Sequence, residues 1–401
     1  MRGARTRTVR VGAAAVVVLV SLPAMAGDRE YTMIKLGVPE GADTVIGSRL
    51  NNHMHVAGWS AFFDEDPYFR GWVWTVEDGF EFLPLPPGEE RYRAIDISDA
   101  GAVAGDGGFS SGNAWLYEDG EFTIFQPVEG LNIGVMGGVN ELGDAAGWFK
   151  DATVVTPDRA FLAESGAEPT ILTPQFDARA IDVNDARQVA GYRNDLRAIR
   201  WSADGGFEFL GELGLTYSFS NRINASGHVV GYAKSANGNI SSAWIYTDAG
   251  GQQLIPGVFE TASVAVSINA HDEVLGITET VGANAPWLWT ADEGVMELAD
   301  LFDFGAENVN PLEVMDINDK GVILMRVFDN TVPGYAMVLL VPAAGCEADF
   351  NEDGSLDILD FVAFQDAFTS GDSNADCNDD GVLNILDFVC FQGVFEAGCD
   401  S

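Results

Sequence analysis

Basic residues are scarce: 21 Lys and Arg stand against 61 Asp and Glu, a formal net charge of -40 over 401 residues. Neutralising phosphate takes clustered Lys and Arg, so nucleic acid and anionic membrane surfaces are excluded as partners. Long apolar runs are also missing. The stretch from Val11 to Leu22 falls short of the roughly 20 residues a spanning helix needs, and no later segment approaches it. Histidine is limited to four residues, and the four cysteines all lie beyond residue 345. No histidine accompanies those cysteines and no two of them have close ligand spacing, which argues against zinc. Helical periodicity is absent from the first 340 residues, so a helical bundle or solenoid is not expected there.

What is present at the N-terminus reads as an export signal. Arg2, Arg5, Arg7 and Arg10 precede the apolar run, and Ala24-Met25-Ala26 stand before Gly27. The expected division is a signal peptide at 1–26, a repeat body at 27–341, a short linker at 342–345 and a small module at 346–401. The mature chain is expected to be secreted or associated with the cell surface, with no membrane span.

The body repeats one motif: an aliphatic residue, Asn, two or three turn residues, two small apolar residues, then Gly. The Asn position falls at Asn51, Ser98, Asn140, Asn184, Asn224, Asn269 and Asn318, spaced 40 to 49 residues apart. That period fits propeller blades and some helical solenoids. Hairpin chemistry decides between them. Asn bonds its own turn backbone, and a Gly three residues later accepts positive φ, as in Asn224-Ala225-Ser226-Gly227. Successive apolar residues after the turn, such as Val229-Val230, bury both faces of the sheet. A second hairpin follows, with strands such as Ala243-Trp244-Ile245-Tyr246. Four short strands per repeat predict an all-β, seven-bladed β-propeller. The seventh repeat has three strands only, while Tyr31 to Leu36 precede the first repeat, so the N-terminal strand is expected to complete the last blade. An open β-solenoid, or a ring of six or eight blades, is the competing arrangement.

The last fifty residues hold a duplicated loop. Asp349, Asn351, Asp353, Gly354, Asp357 and Asp360 recur 27 residues later as Asp376, Asn378, Asp380, Gly381, Asn384 and Asp387. Oxygen ligands at loop positions 1, 3, 5, 9 and 12 with Gly at 6 are what a 12-residue calcium loop requires. Two calcium ions are therefore expected. Each loop runs into a helix with a phenylalanine stripe, Phe361, Phe364, Phe368 and then Phe388, Phe391, Phe395, read as core. Three disulfide pairings are available. Joining Cys346 to Cys399 clasps the ends of the unit and leaves Cys377 with Cys390, the pairing expected here.

Residues 31 to 341 resemble the HAF-type extracellular repeat of bacteria, through units such as Ile223 to Gly231 with Ala243-Trp244. Met325 departs from that pattern at the position of the repeat's last glycine. The resemblance carries no reaction. The tail, Gly345-Cys346 to Gly398-Cys399, resembles the GC-type dockerin-like domain, because Asp360 and Asp387 occupy loop position 12 where ordinary EF-hands have Glu. It implies carbonyl ligands from Ser355 and Val382, and a cohesin-like partner met through Ile358, Leu359, Ile385 and Leu386.

No catalytic constellation emerges. Ser110, in Gly108-Phe109-Ser110-Ser111-Gly112, matches a nucleophile-elbow string but not the strand-to-helix context the elbow needs. His53, His55, His228 and His271 fall at repeat turns, and Trp72, Trp74, Trp115, Trp244, Trp287 and Trp289 recur in the same strand of the repeat, as blade packing requires. The expected function is non-catalytic: a secreted propeller displaying a face to a carbohydrate or protein ligand, tethered through its tail. Two alternatives are a polysaccharide-active enzyme, glycoside hydrolase or lyase, whose acids would include loop residues such as Asp64, Glu65 and Asp66, and a structural envelope protein that uses calcium only for stability.

Overall fold

A computed structural model describes residues 31–63, 67–108, 112–128, 130–151, 158–173, 175–211, 213–238, 240–258, 262–280, 283–331, 334–342, 350, 358–371, 373–377 and 382–397. The expected signal peptide, Ser110, Asp64, Glu65 and Asp66 lie outside these residues. The described residues form seven four-stranded antiparallel sheets. Six are built from consecutive strands: blade 1 (44–82), blade 2 (93–125), blade 3 (133–171), blade 4 (178–209), blade 5 (217–254) and blade 6 (263–297).

Blade 7 takes three strands from residues 309–342 and its outermost strand from Tyr31–Gly37. Tyr31 pairs with Pro342, Thr32 with Val341 and Met33 with Leu340, so the strand at the start of the body closes the ring. Pro342, placed by sequence at the head of the linker, is still part of this sheet. Lys35 ties the closure down by donating to the Glu307 carbonyl at 3.0 Å and lying 3.5 Å from Asp329.

Each Asn turn forms for a local reason. The side-chain oxygen of Asn269 accepts N–H groups from His271 at 3.1 Å and Glu273 at 3.0 Å, replacing backbone bonds that a tight hairpin cannot make. The third residue after the Asn position has positive φ in all seven repeats. Glycine fills it in four, whereas Met54 (60°), Arg187 (57°) and Asp272 (61°) accept the left-handed conformation with a side chain.

Blade packing explains the repeat's last glycine. Gly58 pairs across the sheet with Trp72, Gly105 with Trp115, Gly231 with Trp244 and Gly276 with Trp287. A Cβ on any of these glycines would meet the indole ring. All four tryptophans are fully buried, each contributing on the order of 4–6 kcal/mol of apolar burial as an upper estimate. In blade 7 the pair becomes Met325 opposite Val338, a larger residue facing a smaller one. The cores lie between neighbouring blades. Val45, Val56 and Trp72 of blade 1, for example, share a cluster with Leu324, Met337 and Leu339 of blade 7.

Two tail helices, Ile358–Ser370 and Ile385–Ala397, pack through Phe364 and Phe391, whose rings stack 4.2 Å apart and 4° from parallel. The Phe stripes are core, as expected from sequence.

Candidate functional site

The innermost strand of every blade breaks register just before its Asn position, two residues of that strand opposing one on its partner. The residue after the break is Arg49, Asp96, Gly138, Asp182, Arg222, Ser267 or Asp316 in blades 1 to 7. Three of these carboxylates reach into the next blade. Asp96 accepts the Val139 N–H at 3.0 Å, Asp182 the Ile223 N–H at 2.9 Å and Asp316 the Leu50 N–H at 3.0 Å.

Arg222 crosses the axis between them. Its guanidinium lies 3.2 Å from Asp182, 3.1 Å from Asp316 and 3.8 Å from Asp96, thereby bridging blades 4, 7 and 2 to blade 5. Burial pulls the Arg222 pKa down, but the three carboxylates outweigh it and hold the group above the ordinary arginine range. Burial pushes Asp96 up to about 6 despite Arg222. Arg49 is held low by burial and by Arg222, and its Nε is buried without a hydrogen-bond partner.

A second layer, formed by the Asn residues, encircles the axis. Asn140 donates its amide to the Asn184 carbonyl, Asn184 to Asn224, Asn224 to Asn269, Asn269 to Asn318 and Asn318 to Asn51, all at 2.9–3.0 Å. Asn51 donates to the Ser98 carbonyl at 3.0 Å, and Ser98, lacking an amide, does not continue the series. The sequence showed the turn role of Asn but not this seam role.

Above these layers is a polar cavity of about 180 Å³, with Arg222 in its lining and Asn52, Asp99, Glu141, Asp185 and Asp319 at its rim. The rim acids also serve backbone groups of the neighbouring blade. Asp99 N–H donates to Glu141 at 2.7 Å, and Glu141 N–H to Asp185 at 2.9 Å. Among the described residues no three His, Cys, Asp or Glu side chains are placed to hold a metal. The histidines are in the turns, and His228 lies 2.7 Å from Asp272 of the next blade. The axis can knit blades together and present a polar bowl. Its Asp96, Asp182 and Asp316 carboxylates are committed to backbone N–H groups and to Arg222.

In the tail, Asp349, Asn351, Asp353, Ser355, Asp357, Asn378, Asp380, Cys346 and Cys399 lie outside the described residues. Asp360, Asp376, Val382, Asn384 and Asp387 lie within them. Asn384 caps the second helix, its oxygen accepting the Leu386 N–H at 2.9 Å, while Asp387 returns an oxygen to the Asn384 N–H at 2.6 Å. That reciprocal cap uses one oxygen of a carboxylate that is fully buried. The other, Oδ1, is buried with no hydrogen-bond partner. A buried carboxylate oxygen left so is costly unless a cation meets it, so the donor set fits a hard metal ion. Asp360, its counterpart in the first repeat, is also fully buried. Cys377 and Cys390 are disulfide-bonded with Cα atoms 5.8 Å apart. Ile358, Leu359, Ile385 and Leu386 stand 70%, 54%, 70% and 55% exposed.

No protein-family model matches the chain, and no curated protein matches it. Among solved structures it is similar to a selenomethionine-substituted virginiamycin B lyase from Staphylococcus aureus, with TM-score 0.52 and 12% identity over 78% of this chain and 99% of that one. It is also similar to the β-propeller domain of the Trilobed protease from Pyrococcus furiosus (TM-score 0.48, 11% identity, 75% and 94% coverage). An oligogalacturonate lyase from Vibrio parahaemolyticus gives TM-score 0.46, 11% identity, and 79% and 98% coverage. Identity this low speaks to fold alone. The class is the β-propeller, here with seven blades and closed by an N-terminal strand. Among the described residues no helix is long and apolar enough to cross a membrane.

Proposed function

We propose that this is an exported, non-catalytic propeller that displays a binding face and is attached to a cohesin-like partner through a calcium-dependent, dockerin-like tail. The carrying observation is the buried, unpartnered Oδ1 of Asp387 at loop position 12. Capping alone accounts for only one of its oxygens. The first loop would hold its ion through Asp349, Asn351, Asp353, the Ser355 carbonyl, Asp357 and Asp360. The second would use Asp376, Asn378, Asp380, the Val382 carbonyl, Asn384 and Asp387. Calcium, when bound, neutralises the loop carboxylates and joins the start of each loop to its helix.

Attachment is supported by the apolar residues at the helix starts. Ile358 with Leu359, and Ile385 with Leu386, are large, apolar and more than half exposed in a tail whose phenylalanines are turned inward. The disulfide suits an exported chain. A non-catalytic ring is supported by the axial carboxylates, which act as acceptors for neighbouring blades.

The test is binding of the mature chain to cohesin-like modules of its own organism, in calcium and in chelator. Binding only with calcium, weakened by Ile358→Asp with Ile385→Asp, is the expected result. Absence of calcium-dependent binding to every such module would sink the attachment half of the proposal.

A further inference from the structure

The two tail repeats anchor the start of their loops by different chemistry. In the second, Cys377 directly follows Asp376, the residue at loop position 1. Its disulfide partner, Cys390, is three residues beyond Asp387, the residue at position 12, on the same helix. The bond therefore fixes the first loop ligand relative to the last. Superposing the repeats by their 27-residue offset puts Phe350 at the Cys377 position and Ala363 at the Cys390 position. Phe350 packs edge-on against Phe364 at 5.3 Å and Phe391 at 5.7 Å. The first repeat thus secures its loop with a phenylalanine plug, which no reductant alters.

We propose that the Cys377–Cys390 disulfide makes the calcium affinity of the second loop, and not of the first, depend on thiol redox state. The inference rests on the calcium reading above. Both sulfur-bearing residues are half-buried, so a small dithiol has access. Reduction passes two electrons from the dithiol, which becomes a cyclic disulfide, and two protons end on Cys377 and Cys390 as thiols. Asp376 is then joined to Asp387 only through the intervening backbone, and binding must supply the ordering that the covalent bond had provided. The core beneath is small, with Phe364, Ala375 and Phe391 its buried members, so little else holds the loop start in place.

The experiment is calorimetric titration of the full mature chain carrying Cys346→Ala and Cys399→Ala, so that Cys377–Cys390 is the disulfide under test, with calcium ion alone, with and without dithiothreitol. Asp360→Ala silences the first loop, so it reports on the second; Asp387→Ala does the reverse. Reduction should weaken calcium binding about tenfold or more in Asp360→Ala, judging by the ordering a closed loop of this length provides. In Asp387→Ala it should change binding by less than about twofold. A Cys377→Phe, Cys390→Ala variant, carrying the first repeat's own pair, should bind calcium at the second loop and ignore the reductant. Unchanged affinity in reduced Asp360→Ala, or equal weakening of both loops, would overturn the proposal. A parent chain that takes up no calcium when oxidised would instead overturn the calcium reading beneath it.

Discussion

The side-chain amide of Asn318 donates to the backbone carbonyl of Asn51 at 2.9 Å, across 267 residues of sequence. The same bond joins Asn140 to Asn184 and Asn269 to Asn318, so ring closure is one more instance of a seam that blades 3 to 6 also use. Asn at this position therefore has two functions, shaping its own turn and bonding the next blade.

Truncating one of these residues should show both. Asn184 donates to Asn224 at 2.9 Å and accepts the Gln188 N–H at 2.9 Å, and it is buried. Asn184→Ala should lower unfolding free energy by about 2–4 kcal/mol in urea denaturation. Asn184→Ser should cost less, because blade 2 shows Ser98 keeping the turn bond to the Ala102 N–H at 3.2 Å. A larger loss for Ser than for Ala would contradict the dual role.

Gly276 and Trp287 form a size-matched pair. Gly276→Ala puts a methyl group into the indole and should cost about 1–3 kcal/mol by overpacking. In a double-mutant cycle with Trp287→Val, the cost of Gly276→Ala should fall close to zero, as the Met325 and Val338 pair indicates. Simple additivity would show that the glycine is required for backbone reasons instead.

Asp96 gives a pH dependence of definite sign. Its carboxyl is raised from 3.8 to about 6 by burial, so the folded chain holds this proton more tightly than the unfolded one. Ionisation therefore costs stability above pH 6, and the cost is relieved as pH falls from 6 toward 3.8. Relative to Asp96→Asn, the parent should gain melting temperature on going from pH 7.5 to pH 4.5. A difference that stays flat or reverses over that window would show Asp96 to be stabilised as the charged form.

Charge also separates the two proposed calcium loops. The first offers four ligand-position carboxylates, Asp349, Asp353, Asp357 and Asp360, and the second three, with Asn384 at position 9. The first should bind more tightly in the oxidised chain. Calcium titration of Asp349→Ala should lose the tighter site; retention of that site would reverse the order.

The sequence made the ring legible because its signals are local and repeated. Asn, or Ser98, at the turn with positive φ three residues later recurs every 40 to 49 residues, Trp faces Gly in four of the seven blades, and a spare strand at Tyr31 matches a missing one after Val341. The axis was not legible. Arg222 meets Asp96, Asp182 and Asp316 across four different blades, and no pairing at such separations follows from hairpin chemistry. Reading the Asn-minus-two position as a column, with Arg, Asp, Gly, Asp, Arg, Ser and Asp, would have exposed polar residues in buried strands. In the tail, the loop pattern named Asp387, whereas the burial of its free oxygen follows from the packing of the two helices.

The most direct test is calcium stoichiometry of the oxidised mature chain by titration calorimetry. Two ions per chain are expected, with one lost in Asp387→Ala, one lost in Asp360→Ala and none bound in the double variant. No uptake at millimolar calcium, or uptake that persists in the double variant, would contradict a tail built as paired calcium loops.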